Sequence, residues 1–482
     1  MRREQFITRY VEALRNGTAG LFVGAGLSMK AGYPSWRDLV AEMAAEVGLD
    51  AAVEPDLPTV VQFFLNKQKK RGRLAEVITQ NFSRERDIPD VYRTFARLPL
   101  RNLWTTNYEE LLERAWREHR LRLQVKSENR HLTHDDPTAH AILYKMHGTV
   151  GDPANVVIAK GDYEAYRRSR GEFVTLLHSH LVSRHILFLG LSFTDPNLNH
   201  LFALIRDALH EHTREHYALV RRPQQADYKG KGARKTFESA RNRHDLWVDD
   251  LKNYGIECVE IDQWDEIDEI MQGVERKLSS TSIMVSGSYP VTMPAGQPDD
   301  RARIEAVARA VGRMLAERGL RLVSGFGLIV GSATLGGALE ELYRDVAPNL
   351  DQRLFLRPFP QTIPTGMDRQ AYYRRYREDL VRQAGAAVFI AGVKIEGGAA
   401  IPAPGVANEY DIIRSMDRLP IPIGCTGGTA AELWSRVEAE YESVFGRMPR
   451  KEFLKLNDGS ASPETLARAV WSILDWNAKH GQ

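Results

Sequence analysis

Residues Gly20 to Trp36 read GLFVGAGLSMKAGYPSW, an apolar run that breaks into Gly24-Ala25-Gly26, with Ser28 behind it at a position suited to a helix start. Two glycines where a strand turns into a helix let backbone N–H groups approach a pyrophosphate, and the helix N-terminus adds partial positive charge. A dinucleotide fingerprint would place a third glycine at 29, where Met29 stands. Alone, such a turn fits any α/β domain equally well. Three further polar clusters follow, each closing an apolar run. Thr105-Thr106-Asn107-Tyr108-Glu109 follows Trp104 and opens a helix at Glu110. Lys145-Met146-His147-Gly148 ends the run Ile142 to Tyr144. Gly190-Leu191-Ser192-Phe193-Thr194-Asp195 ends the run Ile186 to Leu189. The carboxyl ends of strands are where open α/β sheets place their ligands.

Taken in order, GAG-x-S, T-x-N, the His-Gly strand end and the G-x-S loop resemble the sirtuin domain, over about the first 275 residues. The resemblance implies NAD+ as the substrate. Gly24, Ala25, Gly26 and Ser28 would cradle its pyrophosphate, with Thr106 and Gly190 also against the dinucleotide and Ser192 and Asp195 at the adenosine end. Asn107 would hydrogen-bond the ribose or position an attacking water, since an amide offers both donor and acceptor. His147, with an ordinary imidazole pKa of ~6.5, would take a proton from that water or from a ribose hydroxyl. Cleaving the nicotinamide–ribose bond releases a neutral leaving group. What it needs is a held dinucleotide, stabilisation of an oxocarbenium-like ribose and a nucleophile on the opposite face.

Sirtuin deacylases carry a C-x-x-C…C-x-x-C zinc module, whereas this chain has only Cys258 and Cys425. Neither a zinc ribbon nor a disulfide framework can be built from them, and no metal is expected. With no acyl-lysine presented, water is the default acceptor and the expected reaction is NAD+ hydrolysis to nicotinamide and ADP-ribose. An Asn after a strand also serves as a helix N-cap, and a His beside Gly also serves as a structural residue. Transfer of ADP-ribose to a macromolecule, or nucleotide sensing without catalysis, therefore stay open.

Regular alternation of apolar runs and helical sequence has to position these clusters. The space between the first two motifs is helical and mixed in charge, as in Trp36 to Val47 and Val60 to Lys70. Strands at Tyr217 to Val220 and Ile256 to Ile261 complete a first parallel sheet. Between them Arg221 to Arg243 is basic and punctuated by Lys229-Gly-Lys-Gly, which reads as a mobile surface segment. A helix from Trp264 to Lys277 leads to Leu278-Ser-Ser-Thr-Ser282, a linker composition. Two domains follow, 1–278 and 283–482, both α/β and Rossmann-like. In the second, strands are expected at Ile283 to Val285, Leu320 to Val323, Arg353 to Leu356, Ala387 to Ala391 and Ile421 to Gly424. Helices are expected over Arg301 to Glu317 and Ser332 to Tyr343.

The second domain resembles the SLOG superfamily of Lonely Guy nucleotide hydrolases and Smf proteins. Its hydrolases carry an arginine helix, a strand, then P-G-G-x-G-T-x-x-E. Here Arg377 precedes the strand, Ala391-Gly392-Val393 replaces the P-G-G, and Glu409 follows a Gly/Ala/Pro loop from Lys394 to Pro404. Hydrolysis needs its groups held to about half an ångström, so a lengthened loop fits binding a nucleotide better than cleaving it. Arg377 and Lys394 would meet phosphates, the first as a fork and the second as a point charge. Glu409 would accept from ribose hydroxyls or an adenine amino group, and Gly287 and Ser288 would form the first turn.

The two resemblances in this order are similar to the ThsA effector family of bacterial Thoeris antiphage defence. That implies a cyclic ADP-ribose isomer, made by a TIR-domain partner protein, as activator of the second domain. It also implies NAD+ depletion by abortive infection, and homo-oligomers that are tetramers or filaments. Composition is consistent. Lys and Arg number 65 against 63 Asp and Glu, for a net +2, without a basic block for nucleic acid. No apolar run approaches the ~20 residues of a membrane span and no signal peptide precedes Gly20, which points to a cytoplasmic enzyme.

Overall fold

The computed structural model describes residues 1–193, 202–203, 214–230, 232–346, 348–360 and 362–480. Two compact units divide the chain, Met1–Glu275 and Arg276–Gln482.

The front unit is built on seven strands: β1 Ala19–Val23, β2 Asn102–Thr105, β3 Leu123–Lys126, β4 Ala141–Lys145, β5 His185–Leu189, β6 His216–Arg221 and β7 Ile256–Ile261. All pair in parallel, in the order β3-β4-β2-β1-β5-β6-β7. Parallel sheets are covered on both faces, which is why β1 and β2 are buried at every residue. The chain runs outward from β1 through β2 on one side and resumes through β5 on the other, so the order reverses at β1. That reversal opens a crevice at the carboxyl ends of β1, β2 and β5. Phe22, Trp104, Tyr144 and Phe188 fill one face, with Trp104 stacked on Tyr144 at 4.3 Å between centroids.

Between β1 and β2 lie the helical insertions, among them Trp36–Glu46 and Leu57–Gln68. Ser35 accepts from the Asp38 N–H and Asp56 from the Thr59 N–H, so side chains start both helices. Three expectations change here. The edge strand β3 was unforeseen, because Leu-Gln-Val-Lys is short and mostly half-buried. Ser28 stands between two short helices, ending the turn Ala25–Ser28 and preceding the 3-10 turn Met29–Ala31, and its hydroxyl caps neither start but donates back to the Ala25 carbonyl at 3.0 Å. Much of the basic stretch read as a mobile surface segment is the start of an ordered helix, Ala233–Lys252, whose Val248 and Leu251 are buried.

The rear unit holds a five-stranded sheet whose strands all pair in parallel, with the strand following the linker third in order. Its strands are β8 Ser282–Ser288, β9 Arg321–Ser324, β10 Leu354–Leu356, β11 Ala386–Ala391 and β14 Leu419–Ile423. The helix Arg301–Glu317 has the bounds its periodicity suggests. The expected linker is almost absent. The helix Glu266–Ser279 and β8 leave only Ser280 and Thr281 between them. The Gly/Ala/Pro loop is likewise ordered, as an antiparallel hairpin of β12 Val393–Glu396 and β13 Ala399–Pro402. Its base is fastened by the Ala403 N–H on the Gly392 carbonyl at 2.8 Å. No described helix is long and apolar enough to cross a membrane.

Candidate functional sites

In the front unit the glycines bring two turns into contact. The Gly24 N–H donates to Leu189 O at 2.8 Å and the Gly26 N–H to Gly190 O at 2.9 Å. A Cβ on Gly190 would lie 2.3 Å from the Leu27 nitrogen, so only glycine lets the β1 and β5 turns meet. Two of the N–H groups expected to face a pyrophosphate are thus engaged inside the turn itself. Thr106 is half-buried and Ser192 exposed at these strand ends. Asp195 lies outside the described residues.

Asn107 and His147 stand at neighbouring strand ends. β2 pairs with β4, Thr105 opposite Lys145, and each of the two residues comes two positions beyond its register partner. Their loops are tied together by Met146 N–H to Thr105 O and Val150 N–H to Tyr108 O, both 2.9 Å. Asn107 is 7 % and His147 5 % exposed. The Thr105 hydroxyl donates to Val23 O and accepts the Asn107 N–H, which joins the β1 and β2 ends. The Asn107 amide nitrogen donates to Glu109 Oε1 at 3.1 Å, while its Oδ1 is buried and accepts nothing. The His147 ring meets Tyr163 edge to face at 5.6 Å.

Behind these residues is a charge cluster the sequence did not announce. Lys145 is 0 % exposed, and its ammonium donates to Glu113 Oε1 at 2.7 Å and to the Glu109 carbonyl at 2.6 Å. Burial pushes the Glu109 carboxyl up to about 7, opposed by Lys145 and by the Asn107 hydrogen bond. A lysine inside an otherwise apolar strand was the available sign, since buried lysines are rare and paired. A separate cleft of about 600 Å³, between Lys30, Arg84, Arg86 and Asp268, is lined by neither Asn107 nor His147. Among the described residues no group of three or more His, Cys, Asp or Glu is placed to hold a metal ion.

In the rear unit Arg377 and Glu409 come from different helices, Arg369–Val381 and Pro404–Ser415, yet their charged groups meet at 3.8 Å. Ser286, near the end of β8, donates to Glu409 Oε2 at 2.6 Å. The guanidinium lies 4.6 Å from the Phe359 ring centroid and 5.9 Å from that of Tyr373, both cation–π range. Burial lowers the Arg377 pKa, opposed by Glu409; burial raises that of Glu409, opposed by Ser286 and Arg377. Gly287 is required where β8 meets β11, because a Cβ there would lie 2.1 Å from Ile390 O. The Ser288 hydroxyl donates to Val393 O at 3.3 Å. Lys394 does not join this pair through any contact of its own. It rides on the hairpin, and its ammonium meets Glu396 at 2.8 Å. Ser286, Phe359 and Tyr373 were missed; only Ser286, at a strand end beside Gly287, carried a readable sign.

Comparison with known proteins finds two domains in this order. The profile of the SIR2-like domain matches residues 101–246 and that of the Sir2- and TIR-associating SLOG family residues 266–477. The NAD(+) hydrolase ThsA of Bacillus cereus (strain MSX-D12) is 34% identical, over 98% of each chain. Its namesakes in Enterococcus faecium and Cytobacillus dafuensis are 33% and 31% identical, covering 95% and 98% of this chain and 95% and 96% of their own.

Proposed function

The chain belongs to the family of the NAD(+) hydrolases ThsA, and we propose that it hydrolyses NAD+ to nicotinamide and ADP-ribose at the front strand ends. The observation that carries this is the Asn107 amide, buried beside His147 with Oδ1 left open at the carboxyl end of the sheet. The C1′–N bond breaks, its electron pair leaves with nicotinamide, and water adds to C1′. Asn107 Oδ1 accepts a hydrogen bond from that water or from a ribose hydroxyl. His147 takes the proton lost as the new C–O bond forms. Gly24, Ala25, Gly26, Ser28, Thr106, Gly190 and Ser192 line the strand ends where the dinucleotide would lie.

The rear unit serves as the sensor. Arg377, Glu409 and Ser286, with Gly287 and Ser288 at the first turn, would receive a cyclic ADP-ribose isomer supplied by a TIR-domain protein. The phosphates would take Arg377 and the ribose or adenine would take Glu409. A messenger shifts activity only as far as it favours the active arrangement over the resting one. Depletion of NAD+ in a phage-infected cell, from a cytoplasmic homo-oligomer, is the role this reading gives the chain.

The test is nicotinamide release from NAD+ by the full-length chain, alone and with a panel of cyclic ADP-ribose isomers. Release that depends on one isomer and disappears in Asn107→Ala supports the proposal. Full activity with no isomer removes the switch. Label from adenine-labelled NAD+ that remains on macromolecules replaces hydrolysis with transfer.

A further inference from the structure

Asn107 has two faces to its amide, and only one can point at a substrate. Its amide nitrogen is committed to Glu109 Oε1 at 3.1 Å, and the other side of the amide, Oδ1, is buried with no partner. A carboxylate can only accept, so it can hold only the NH2 side of an amide. Glu109 is itself held from behind: the Lys145 ammonium binds the Glu109 backbone carbonyl at 2.6 Å, the Tyr108 carbonyl at 3.4 Å and the Glu113 carboxylate at 2.7 Å. Glu109 is 4 % exposed and its second oxygen accepts nothing.

We infer that Glu109 is a positioning residue, fixing the Asn107 amide so that its oxygen, never its nitrogen, is offered to the reacting centre. The inference rests on the catalytic reading of Asn107 and adds to it a direction. An inverted amide would present two donors to a water or hydroxyl that must itself donate. Protonating Glu109 removes the constraint, since a carboxylic acid can bond either side of the amide. Burial sets this titration at about 7, with Lys145 and Glu113 the charged groups facing Glu109 and the Tyr33 and Tyr92 hydroxyls coupled to it. Acidification through that value therefore releases the amide.

The experiment measures kcat and KM for NAD+ on the full-length chain carrying Glu109→Gln, Asn107→Ala or both, with the isomer panel present. Gln keeps the shape but, like a protonated acid, can bond either side of an amide. The expected result is a kcat some tenfold lower in Glu109→Gln at pH 8, KM within about threefold, and no further loss when the change is added to Asn107→Ala. Equal loss in both backgrounds shows Glu109 acting without Asn107 and overturns the inference. A wild-type rate in Asn107→Ala overturns the catalytic reading instead, and this one with it. The pH profile decides independently where Asn107→Ala is too slow to measure. On acidification through about 7 the wild-type rate should fall more steeply than that of Glu109→Gln, which keeps only the limb of the His147 base; superimposable acid limbs in the two sink the inference.

Discussion

In the front unit the Lys145 ammonium is taken up by two carbonyls and Glu113, whereas in the rear unit Arg377 faces Glu409 across 3.8 Å with its Nε unbonded. Lys145 ends β4 and Arg377 sits on the helix Arg369–Val381, and both charges are largely screened from water. They differ in whether anything remains to be done. A buried charge whose donors are all used is a fixture, and displacing it means stranding its partners. A guanidinium held loosely over aromatic rings is one that a phosphate, meeting it through two parallel hydrogen bonds, can take from a carboxylate. On the proposed reading, the front site holds one oxygen still and the rear site exchanges partners.

The widest gap between the two should appear on removing the front fixture's working end. Asn107→Ala is expected to lower nicotinamide release by about 10²–10⁴-fold, the range of a positioned catalytic group, while isomer binding by calorimetry stays unchanged. A parallel loss of isomer binding would mean that the two sites do not divide the work.

Stability reports next on the fixture. Glu109 ionises near its ordinary 4.5 when unfolded and about 7 when folded. Between those values the native chain keeps a proton that the unfolded chain has released, so the stability from this group is full below 4.5. It falls as pH rises through the window and is level above about 7. Urea unfolding should show wild type losing up to about 3 kcal/mol relative to Glu109→Gln between pH 4.5 and 8. A difference independent of pH would mean that burial does not strain this carboxyl.

Arg377→Ala should weaken isomer binding about 10–100-fold, the worth of a hydrogen bond to a charged group. Front-site turnover at saturating isomer should survive. Lys394→Ala should cost less than about threefold, because its side chain is 38% exposed and its ammonium already meets Glu396. If Lys394→Ala proved the larger of the two, the hairpin would have to close on the ligand.

How much of this could be read from the chain follows from where each residue sits. The sheets were legible because continuous apolar runs such as Leu21 to Val23 and Ala387 to Ile390 admit little else. Asn107, His147, Arg377 and Glu409 were legible because they occupy strand ends or the helices that cap them. The Lys145–Glu113 and Asn107–Glu109 contacts were not, since charged residues on a strand or at the start of a helix usually face water. Strand β3 and the β12–β13 hairpin escaped because mixed polarity and Gly/Ala/Pro composition look the same in a strand and in a loop. The Ser28 position before a short helix was legible but not its bond, because a serine hydroxyl can turn back to the preceding turn instead of capping the next one.

The hairpin's footing has a practical corollary. Thr429 Oγ1 spans Gly392 O at 2.9 Å and Ala403 O at 3.2 Å, so the two feet of β12 and β13 are riveted beneath it. Whatever is threaded through the tip at Gly397-Gly398, both exposed, begins and ends at the same fixed anchors. The loop-closure entropy of a longer tip rises only with the logarithm of its length. A fluorescent reporter could be spliced there as into a socket, turning the rear unit into an optical gauge of the messenger proposed for it.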